Sequence, residues 1–513
     1  MLPPTATNED RKEQWTDDKA SDETHSAQAE RRVLRKIDLI LMPQVNILTI
    51  SYGLQYYDKA ILGSAAIFGI IEDLHLSTTR NGVVSTLRYS TASAAFYWGY
   101  AAAVLPVALV LQRLPIAKTL SLLIFLWGVC TMLTVVVKSY EGLVVQRVFL
   151  GLLESSVSPG FVIITGQWYT KREQATRLGI WYSATGIFSC FSGVVNYGLG
   201  SANGPLPSWK YMYLFAGSMT ILWAFFVLLF VPDSPALSQR WFNEDERAIL
   251  ARRSKHSMIG AVGATKIRWG QVREAATDVK IYIFMLIAMS IYIVNGGVTA
   301  FGARIISSFG YPRLTTIALQ IPSGAFTCVT IYLFSWLSDR YKNVTTYLIP
   351  LSTLPVIAGC LIIWLASWER RGVPLFGFYL LATFGAPYVL LLAMSARNVA
   401  GGTKKSFASG AIFLAYCCSN VAAPYTVLTP EKPIKYRTTW ITLIACMGAT
   451  SVLSILLRIV LIRENRIKDA KFGAVGSQST GNESLEAISE DVLEQQQVMD
   501  LTDKANKVFR YSL

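Results

Sequence analysis

The sequence contains few charged residues and very few histidines. Asp, Glu, Lys and Arg make up 16% of its 513 residues, and only three histidines are present. Soluble domains carry about 25% charged residues, and a soluble chain of this length would form two or more domains with amphipathic patterning. Hydrophobic residues make up 52% of the chain and aromatic residues 12%. So many apolar side chains would not stay hydrated in a disordered chain, and the composition therefore predicts a polytopic membrane protein.

Groups that support catalysis or cofactor binding are equally scarce. All seven cysteines lie in apolar segments, so no disulfide framework is expected. The histidines lie in polar stretches far apart, without metal-ligand spacing, and no Walker lysine pattern indicates ATP-driven transport. An intramembrane enzyme would need a catalytic or metal constellation within its spans, and a nutrient receptor would tend to have a longer signalling tail. We therefore expect no metal, no cofactor and no enzymatic activity.

The net charge of +14 would suit nucleic-acid binding if the basic residues formed one surface cluster. They instead separate apolar segments, as in membrane proteins, whose orientation is set by positive charges on the cytosolic side. The short loops do not decide the orientation, but residues 31–36 and 463–471 carry four positive charges each and residues 240–280 carry nine. We expect no nucleic-acid partner, a multi-pass protein of the plasma membrane, and both termini in the cytosol.

Twelve apolar segments, each of about the 20 residues that a helix needs to cross a bilayer, fall into two groups of six. Their continuous apolarity argues against a β-barrel. The segments lie at about 38–57, 89–111, 117–137, 142–166, 178–199, 211–231, 281–302, 316–338, 345–366, 374–394, 407–428 and 440–461. The predicted fold is an all-α polytopic membrane protein with twelve transmembrane helices in two six-helix halves. Its predicted parts are a disordered cytosolic tail (1–37), the N-terminal half (38–231), a cytosolic linker with an amphipathic helix (232–280), the C-terminal half (281–461) and a cytosolic C-terminal tail (462–513).

A loop is repeated at the same place in each half. The loop after the second span ends in Gln112-Arg113, and the loop after the eighth span contains Asp339-Arg340. An acid-base pair that faces helix ends can close one side of a transporter, and two related halves are typical of transporters. The alternative is ordinary anchoring by positive charge. We predict a gating role for Arg113, Asp339 and Arg340.

The second of these loops, SWLSDRYKN, resembles the motif between the second and third spans of the major facilitator superfamily. Longer stretches resemble the anion:cation symporters, and specifically the fungal allantoate permease family. They include YYDKAILGSAAIFGIIEDLHL (56–76), RVFLGLLESSVSPGF (147–161) and WKYMYLFAGSMTILW (209–223). The resemblance covers about 40–460, although the chain has Thr185 where the family usually has Asn. It implies proton-coupled uptake, by alternating access, of a small organic anion such as allantoate, nicotinate, a pantothenate-like compound or another carboxylate.

Charged residues inside the fourth predicted span are the strongest functional candidates, because intramembrane charges cost several kcal/mol unless they face a cavity or a partner. Arg147, Gly151, Glu154 and Ser158 share one helix face. Arg147 and Glu154 are about 10 Å apart along the axis, so we expect each to have its own partner. A carboxyl in a low-dielectric interior can exchange protons near neutral pH. We predict proton coupling at Glu154 and a substrate or charge-balancing role for Arg147, and the alternative is a fixed charge network.

Further candidates depend on how the spans pack. Asp58 and Lys59 end the first predicted span, where they would form either a solvated pair at the outer boundary or an outer gate, as the resemblance suggests. Other polar residues within spans could line a central cavity, although a lone one more often forms a bond between helices. The candidates for this cavity are Asn46, Tyr182, Asn295, Gln320 and Asn420. No sequence feature decides direction, so an exporter of a secondary metabolite or toxin is the alternative function.

Overall fold

The computed structural model describes residues 49–80, 83–111, 114–168, 184–202, 204–231, 243–244, 246, 268–341, 343–472, 501–507 and 509–513. In the first half the elements are α1 (49–65), α2 (Ile70–Asp73), β1 (Thr78–Arg80), β2 (Val83–Ser85), α3 (Leu87–Leu111), α4 (Ile116–Leu133), α5 (Tyr140–Glu154), α6 (Val157–Trp168), α7 (Ala184–Gly200) and α8 (Ser208–Phe230). The two short strands form an antiparallel hairpin.

Among the described residues, all regular elements of the second half are helices. Its elements are α9 (Trp269–Ala276), α10 (Val279–Ser308), α11 (Arg313–Ala318), α12 (Ile321–Arg340), α13 (Thr345–Leu365), α14 (Gly372–Leu381), α15 (Gly385–Asn398), α16 (Gly402–Ala422) and α17 (Arg437–Phe472). Short 3₁₀ turns connect α14 to α15 and follow α16.

Each of the twelve predicted spans coincides, at least in part, with a helix, because a helix satisfies every backbone group within its own segment. Among the described residues, 8 helical segments are long and apolar enough to cross a membrane by length and composition. The fourth predicted span is divided between α5 and α6. Pro159 explains the division, since it lacks an amide hydrogen and its ring clashes with the carbonyl four residues earlier, at Ser155. The division therefore falls directly after Glu154.

Helices α1 and α17 extend furthest beyond their predicted ends. Helix α1 continues to residue 65 instead of ending at 57, and α17 continues to Phe472 instead of ending at 461. The first difference corrects the placement of Asp58 and Lys59, which lie within α1 and not at its end. The apolar run that follows them, from Ala60 to Ile71, allows the helix to continue.

The hairpin β1–β2 and residues 501–513 lie at opposite ends of the helical bundle. Helix α16 shows this directly, because Lys404 near its start contacts Asp503, whereas Pro424 just after its end contacts Ser90 of the first half. We name the two ends the hairpin face and the tail face.

The two halves meet at the hairpin face through hydrogen bonds. Three of these join the start of the α3 region to the second half: Tyr89 Oη donates to the Ala300 carbonyl (2.5 Å), Ser90 Oγ donates to the Pro424 carbonyl (2.9 Å), and the hydroxyls of Thr86 and Thr429 are 2.6 Å apart. These contacts join the two halves at the hairpin face.

Candidate functional site

A cavity with about 60 Å³ of free space lies between the two halves. Helices α1, α3 and α7 of the first half line it together with α10, α12, α15 and α16 of the second. Its wall is polar and aromatic, with Gln55, Lys59, Tyr97, Tyr292, Asn295, Ser323, Thr327 and Tyr416 among the lining residues. Lys59 is the single charged side chain among the described lining residues, and it gives the cavity a positive end.

Lys59 forms the link between the cavity and the buried acid of the fourth span. Its Nζ lies 3.7 Å from Glu154 Oε2, and the two side chains are 13% and 0% exposed. The ammonium group also lies 5.1 Å from the ring centre of Phe96 and 5.5 Å from that of Tyr100. Neither carboxylate oxygen of Glu154 has a hydrogen-bond partner within the described part of the chain. Glu154 is therefore balanced by the charge of Lys59 and not fixed by short bonds.

The helix division after Glu154 determines where this carboxylate lies. The last carbonyl of α5 has no regular helical partner at the division, and Gln55 Nε2 donates to it at 3.0 Å. Ser155 Oγ and Ser156 Oγ donate to the carbonyls of Leu152 (2.7 Å) and Leu153 (2.9 Å). The serine bonds stabilise the last turn of α5, and the Gln55 bond joins it to α1, the helix that also carries Lys59.

A second acid-base set is more deeply buried in the first half. Asp58 Oδ2 accepts from Trp127 Nε1 at 2.5 Å and from Thr131 Oγ1 at 3.5 Å, while Arg147 Nη2 donates to Tyr213 Oη at 3.0 Å. Asp58 Oδ1 and Arg147 Nε have no hydrogen-bond partner among the residues that the structure describes. Asp58 and Arg147 are 1% and 2% exposed. Arg147 and Glu154 thus contact different groups, as expected from their spacing.

Helices α3 and α5 pack closely beside both sets. A Cβ atom on Gly151 would overlap the carbonyl oxygen of Phe96, and one on Gly99 would overlap that of Val148. Small residues allow helix backbones to approach closely in membranes. The Gly151 that the sequence places between Arg147 and Glu154 is therefore a packing residue that brings both charges against α3.

Tyrosines form one wall of the cavity. The ring of Tyr292 packs edge-on against Tyr388 and Tyr416, with 4.4 Å between ring centres in each pair, and Tyr97 of the first half lies 5.8 Å from Tyr416. Edge-to-face rings stabilise one another and present both apolar faces and hydroxyl groups. This wall suits a compact ligand with an unsaturated or cyclic body.

Of the residues predicted to line the cavity, the structure places Asn295 on its wall and two others away from it. Asn295 lines the cavity and donates to Asn420 Oδ1 at 2.9 Å, so Asn420 supports Asn295 from behind. Gln320 precedes α12 and is not among the described lining residues, and its carbonyl accepts a bond from Ser323 Oγ. Asn46 and Tyr182 lie outside the described residues.

The predicted gating residues do not form one cluster. Asp339 pairs with Arg397 at the end of α15, at 2.8 Å, and not with its neighbour Arg340, which is exposed. The paired side chains are 74% and 38% exposed, and such pairs contribute little stability. Arg113 lies outside the described residues. Gating by these residues and by Asp58 and Lys59 stays a prediction.

Several contact residues were missed by the sequence reasoning. Gln55 is a polar residue within an apolar run, and that position could have identified it. Trp127 and Tyr213 gave no such signal, because aromatic residues are common in membrane helices and their bonds to Asp58 and Arg147 depend on packing.

Comparison with known proteins decides the family. The Major Facilitator Superfamily profile matches residues 48–424. The chain belongs to this superfamily. An uncharacterized transporter of Schizosaccharomyces pombe is 30% identical over 489 residues, covering 95% of this chain and 90% of the relative. The allantoate permease of Saccharomyces cerevisiae is 29% identical over 498 residues, covering 94% and 87%. The predicted family resemblance is thereby confirmed.

Solved superfamily structures agree in fold. The proton:xylose symporter XylE of Escherichia coli aligns with a TM-score of 0.61 at 12% identity, covering 82% of this chain and 94% of its own. A bacterial homologue of the human lysosomal transporter Spinster, in an inward-facing conformation, aligns with a TM-score of 0.56 at 15% identity, covering 82% and 96%. The twelve-helix fold is confirmed, and the protein is a multi-pass membrane transporter of a small molecule and not an enzyme.

Proposed function

We propose that this protein takes up a small organic anion together with a proton by alternating access, with the hairpin face outside the cell and the tail face in the cytosol. The observation that carries the proposal is the Lys59–Glu154 pair at 3.7 Å, in which one cation reaches both the cavity and a fully buried acid. The similarity to an allantoate permease supports an anionic substrate. The basic flanks of the spans support the orientation. Uptake from outside the cell requires the plasma membrane, and the proposal includes that location.

Charge balance explains how the Lys59–Glu154 pair would couple transport of the substrate to transport of a proton. In the empty site Lys59 balances an ionised Glu154. A substrate carboxylate that binds Lys59 brings a second negative charge close to the first, and like charges in a low-dielectric site favour protonation of one of them. Glu154 then takes up the proton while the substrate keeps Lys59. The loaded site has the same net charge as the empty one, so both can change conformation at similar cost.

The remaining site residues have proposed supporting roles. Arg147 and Asp58 form the charge network that fixes α1 and α5 to α4 and α8, through Trp127 and Tyr213. Asn295 offers an amide to the substrate and is held in place by Asn420. Gln320 has an indirect role, because its carbonyl accepts a hydrogen bond from Ser323, which lines the cavity.

The tyrosine wall narrows the substrate class. A carboxylate bound at Lys59 would extend its body toward Tyr97, Tyr292 and Tyr416, where rings and hydroxyls favour a small unsaturated or ureido group. We therefore expect allantoate, nicotinate and related acids to compete for uptake, and their uncharged amides to compete poorly.

Uptake of labelled allantoate and nicotinate by cells that express the protein tests the proposal. A protonophore is expected to abolish accumulation, because the proton gradient drives it. Glu154→Gln is expected to lose accumulation and keep exchange of internal for external substrate, since its side chain no longer carries a proton. Glu141→Gln, an exposed residue on the same helix, is the matched control.

Two results would contradict the proposal at different points. Accumulation that persists with the protonophore would remove proton coupling altogether. Accumulation that persists in Glu154→Gln, but not with the protonophore, would keep the coupling and assign the proton to another group.

A further inference from the structure

Residues 501–513, which we name the C-terminal segment, dock on the tail face of the second half. Their described contacts reach α9, α10, α15, α16 and α17, so one short segment joins five helices. The transport mechanism proposed above makes no use of it. The segment is connected to the end of α17 by residues 473–500.

Asp503 is the centre of this contact. Its Oδ2 lies 2.8 Å from Lys280 Nζ and its Oδ1 lies 2.7 Å from Lys404 Nζ, and all three side chains are 0% exposed. Tyr511 of the same segment donates to Asp503 Oδ2 at 2.8 Å, and its ring lies 3.8 Å from Lys280 Nζ. The carboxylate therefore joins the start of α10 to the start of α16.

The tail face also recognises the backbone of the C-terminal segment. Asn465 exchanges two hydrogen bonds with the backbone of Tyr511, at 2.9 and 2.8 Å, and Asn398 exchanges two with that of Ser512, at 3.0 and 2.8 Å. Lys468 Nζ donates to three further carbonyls of the segment. Paired amide bonds to successive residues fix the register of the segment, so the contact is specific and not a loose association of charges.

Lys280 and Lys404 keep partners without the segment. Lys280 also pairs with Glu464 at 2.9 Å, and Lys404 also pairs with Glu274 at 2.9 Å and with Asp278 at 2.7 Å. Removal of one partner from a buried pair is strongly unfavourable when it leaves an uncompensated charge. Departure of the segment leaves Lys280 in contact with Glu464, and Lys404 in contact with Glu274 and Asp278. Lys468 loses its three bonds to the segment, but its charge still makes three positive charges against three negative ones. The site is thus balanced in an undocked state as well.

Three of the five helices that the segment joins, α10, α15 and α16, also line the cavity. Helix α10 contributes Asn295, α15 contributes Gly385 and α16 contributes Tyr416 to its wall. The segment holds α10 and α16 by their first residues and α15 by its last, all at the tail face. A segment that fixes these ends restrains the movements by which the cavity would open on that side.

We propose that the C-terminal segment is an intramolecular latch: docked through Asp503, it restrains opening of the cavity at the tail face, and its release accelerates transport. The restraint acts through α10, α15 and α16, and it adds control to the carrier without taking part in substrate binding. The charge balance of the vacated site makes the latch reversible.

A crosslink tests docking in the full-length purified protein. Asn398→Cys combined with Ser512→Cys places thiols at two residues that contact each other directly. A protease site inserted between residues 480 and 490 then reports the bond, because the cleaved segment stays attached on a non-reducing gel only when the disulfide has formed. Ser512→Cys alone is the control. Absence of a crosslink in the double variant would overturn the docking on which the proposal depends.

Thiol labelling tests restraint without the need for a transported substrate. Ser323→Cys places a thiol on the cavity wall, and its labelling by a hydrophilic maleimide is measured against the same protein without this substitution. We expect the crosslink to slow labelling about fivefold and reduction of the disulfide to restore it, a size typical of coupling between sites. Equal labelling rates in the crosslinked and reduced protein would show that the segment is a passive structural element.

A release variant completes the test. Asp503→Lys opposes three lysines and is expected to release the segment and to accelerate both labelling and allantoate uptake. Asp500→Lys makes the same charge change three residues earlier and serves as the control. Faster labelling without uptake of allantoate would support the latch and count against the proposed substrate. Unchanged or slower labelling in a folded Asp503→Lys protein would overturn the latch, and Asp503→Asn provides a milder release variant if that protein does not fold.

Discussion

Two buried charge clusters in this transporter are built in opposite ways. In the first half Lys59 and Glu154 are 3.7 Å apart, and both Glu154 oxygens have no hydrogen-bond partner among the described residues. In the second half Lys404 lies within 2.7 to 2.9 Å of three carboxylates, from Glu274, Asp278 and Asp503. The first cluster lies on the cavity and the second at the tail face.

The difference separates charges that can change partners from charges that hold helices in place. A loosely paired carboxylate can exchange its lysine for a proton at low cost, because few bonds have to break. A lysine with three short contacts cannot lose its charge without leaving several acids unbalanced. The second cluster can release Asp503 at moderate cost, because Glu464 still pairs with Lys280, and Glu274 and Asp278 still pair with Lys404.

The largest effect is expected when the second cluster loses a lysine. Lys404→Met keeps the length of the side chain and removes the charge, so that Asp278 and Asp503 share Lys280 as their remaining buried lysine, with the half-exposed Lys504 at 3.8 Å from Asp278. Loss of one partner from a buried ion pair costs about 3–5 kcal/mol. The melting temperature and the yield of folded protein in detergent should both fall, with Lys405→Met as the control. A melting temperature equal to that of the control would mean that this cluster is not structural.

The same change in the first cluster should act on transport and not on folding. Lys59→Met removes the positive charge to which we propose that the substrate carboxylate binds. Glu154 can then become neutral by taking up a proton. We expect uptake to fall about 30-fold, the size of one lost charge contact in a buried site, with a melting temperature close to that of the unchanged protein. Lys59→Arg should retain part of the uptake. A Lys59→Met protein that transports normally would contradict the comparison between the clusters.

A smaller effect is expected at the helix division that positions Glu154. Gln55→Met keeps the shape of the side chain and removes its bond to the Glu154 carbonyl. An unsatisfied buried carbonyl costs about 1–3 kcal/mol. Uptake should decrease less than in Lys59→Met and thermal stability should decrease slightly. Ser189→Ala, which changes another lining residue, provides the reference. Identical behaviour of the two variants would show that the division is fixed without Gln55.

The smallest effect is expected from a change of pH on the docking of the C-terminal segment at the tail face. Burial opposes ionisation of Asp503, but Lys280 and Lys404 outweigh it and hold the pKa of this carboxyl below its ordinary value. A lowered pKa stabilises docking above the ordinary carboxyl range, and that stabilisation is lost only as pH falls through the lowered value. The groups that surround Asp503 directly or through these lysines are Lys280, Lys404, Tyr511, Lys468, Glu274, Asp278 and Glu464.

The crosslink between Asn398→Cys and Ser512→Cys should therefore form equally at pH 8 and pH 6, once the yield is corrected for thiol reactivity with a model peptide. Proton coupling at Glu154 should by contrast change uptake over the same interval. Loss of the crosslink at pH 6 would make the latch a pH sensor and would remove the contrast between the two clusters.

Much of the architecture was predictable from the sequence. The twelve spans were found because a helix that crosses a bilayer must be apolar over a fixed length. Pro159 marks a division in the fourth span that sequence rules could have placed. The ends of α1 and α17 were less predictable, since polar residues such as Asp58 and Lys59 resemble a span boundary when their burial is unknown.

The candidate site was predictable in part. The spacing of Arg147 and Glu154 excluded a direct pair, and the structure gives each a different partner. Those partners, Tyr213 and Lys59, come from α8 and α1, and no local pattern connects helices so far apart in the chain. Asp339 likewise pairs with Arg397 of α15 and not with the adjacent Arg340.

The sequence by itself determined the membrane class, the two sets of six spans, the family resemblance and the presence of a buried acid and base in the fourth span. These follow from composition, segment length and spacing along one helix, which are local properties. Only the tertiary structure decided that Lys59 serves both the cavity and Glu154, and that Asp503 lies between Lys280 and Lys404. The physical reason is that the partner of a buried charge is set by how helices pack, and packing joins residues that lie far apart in the sequence.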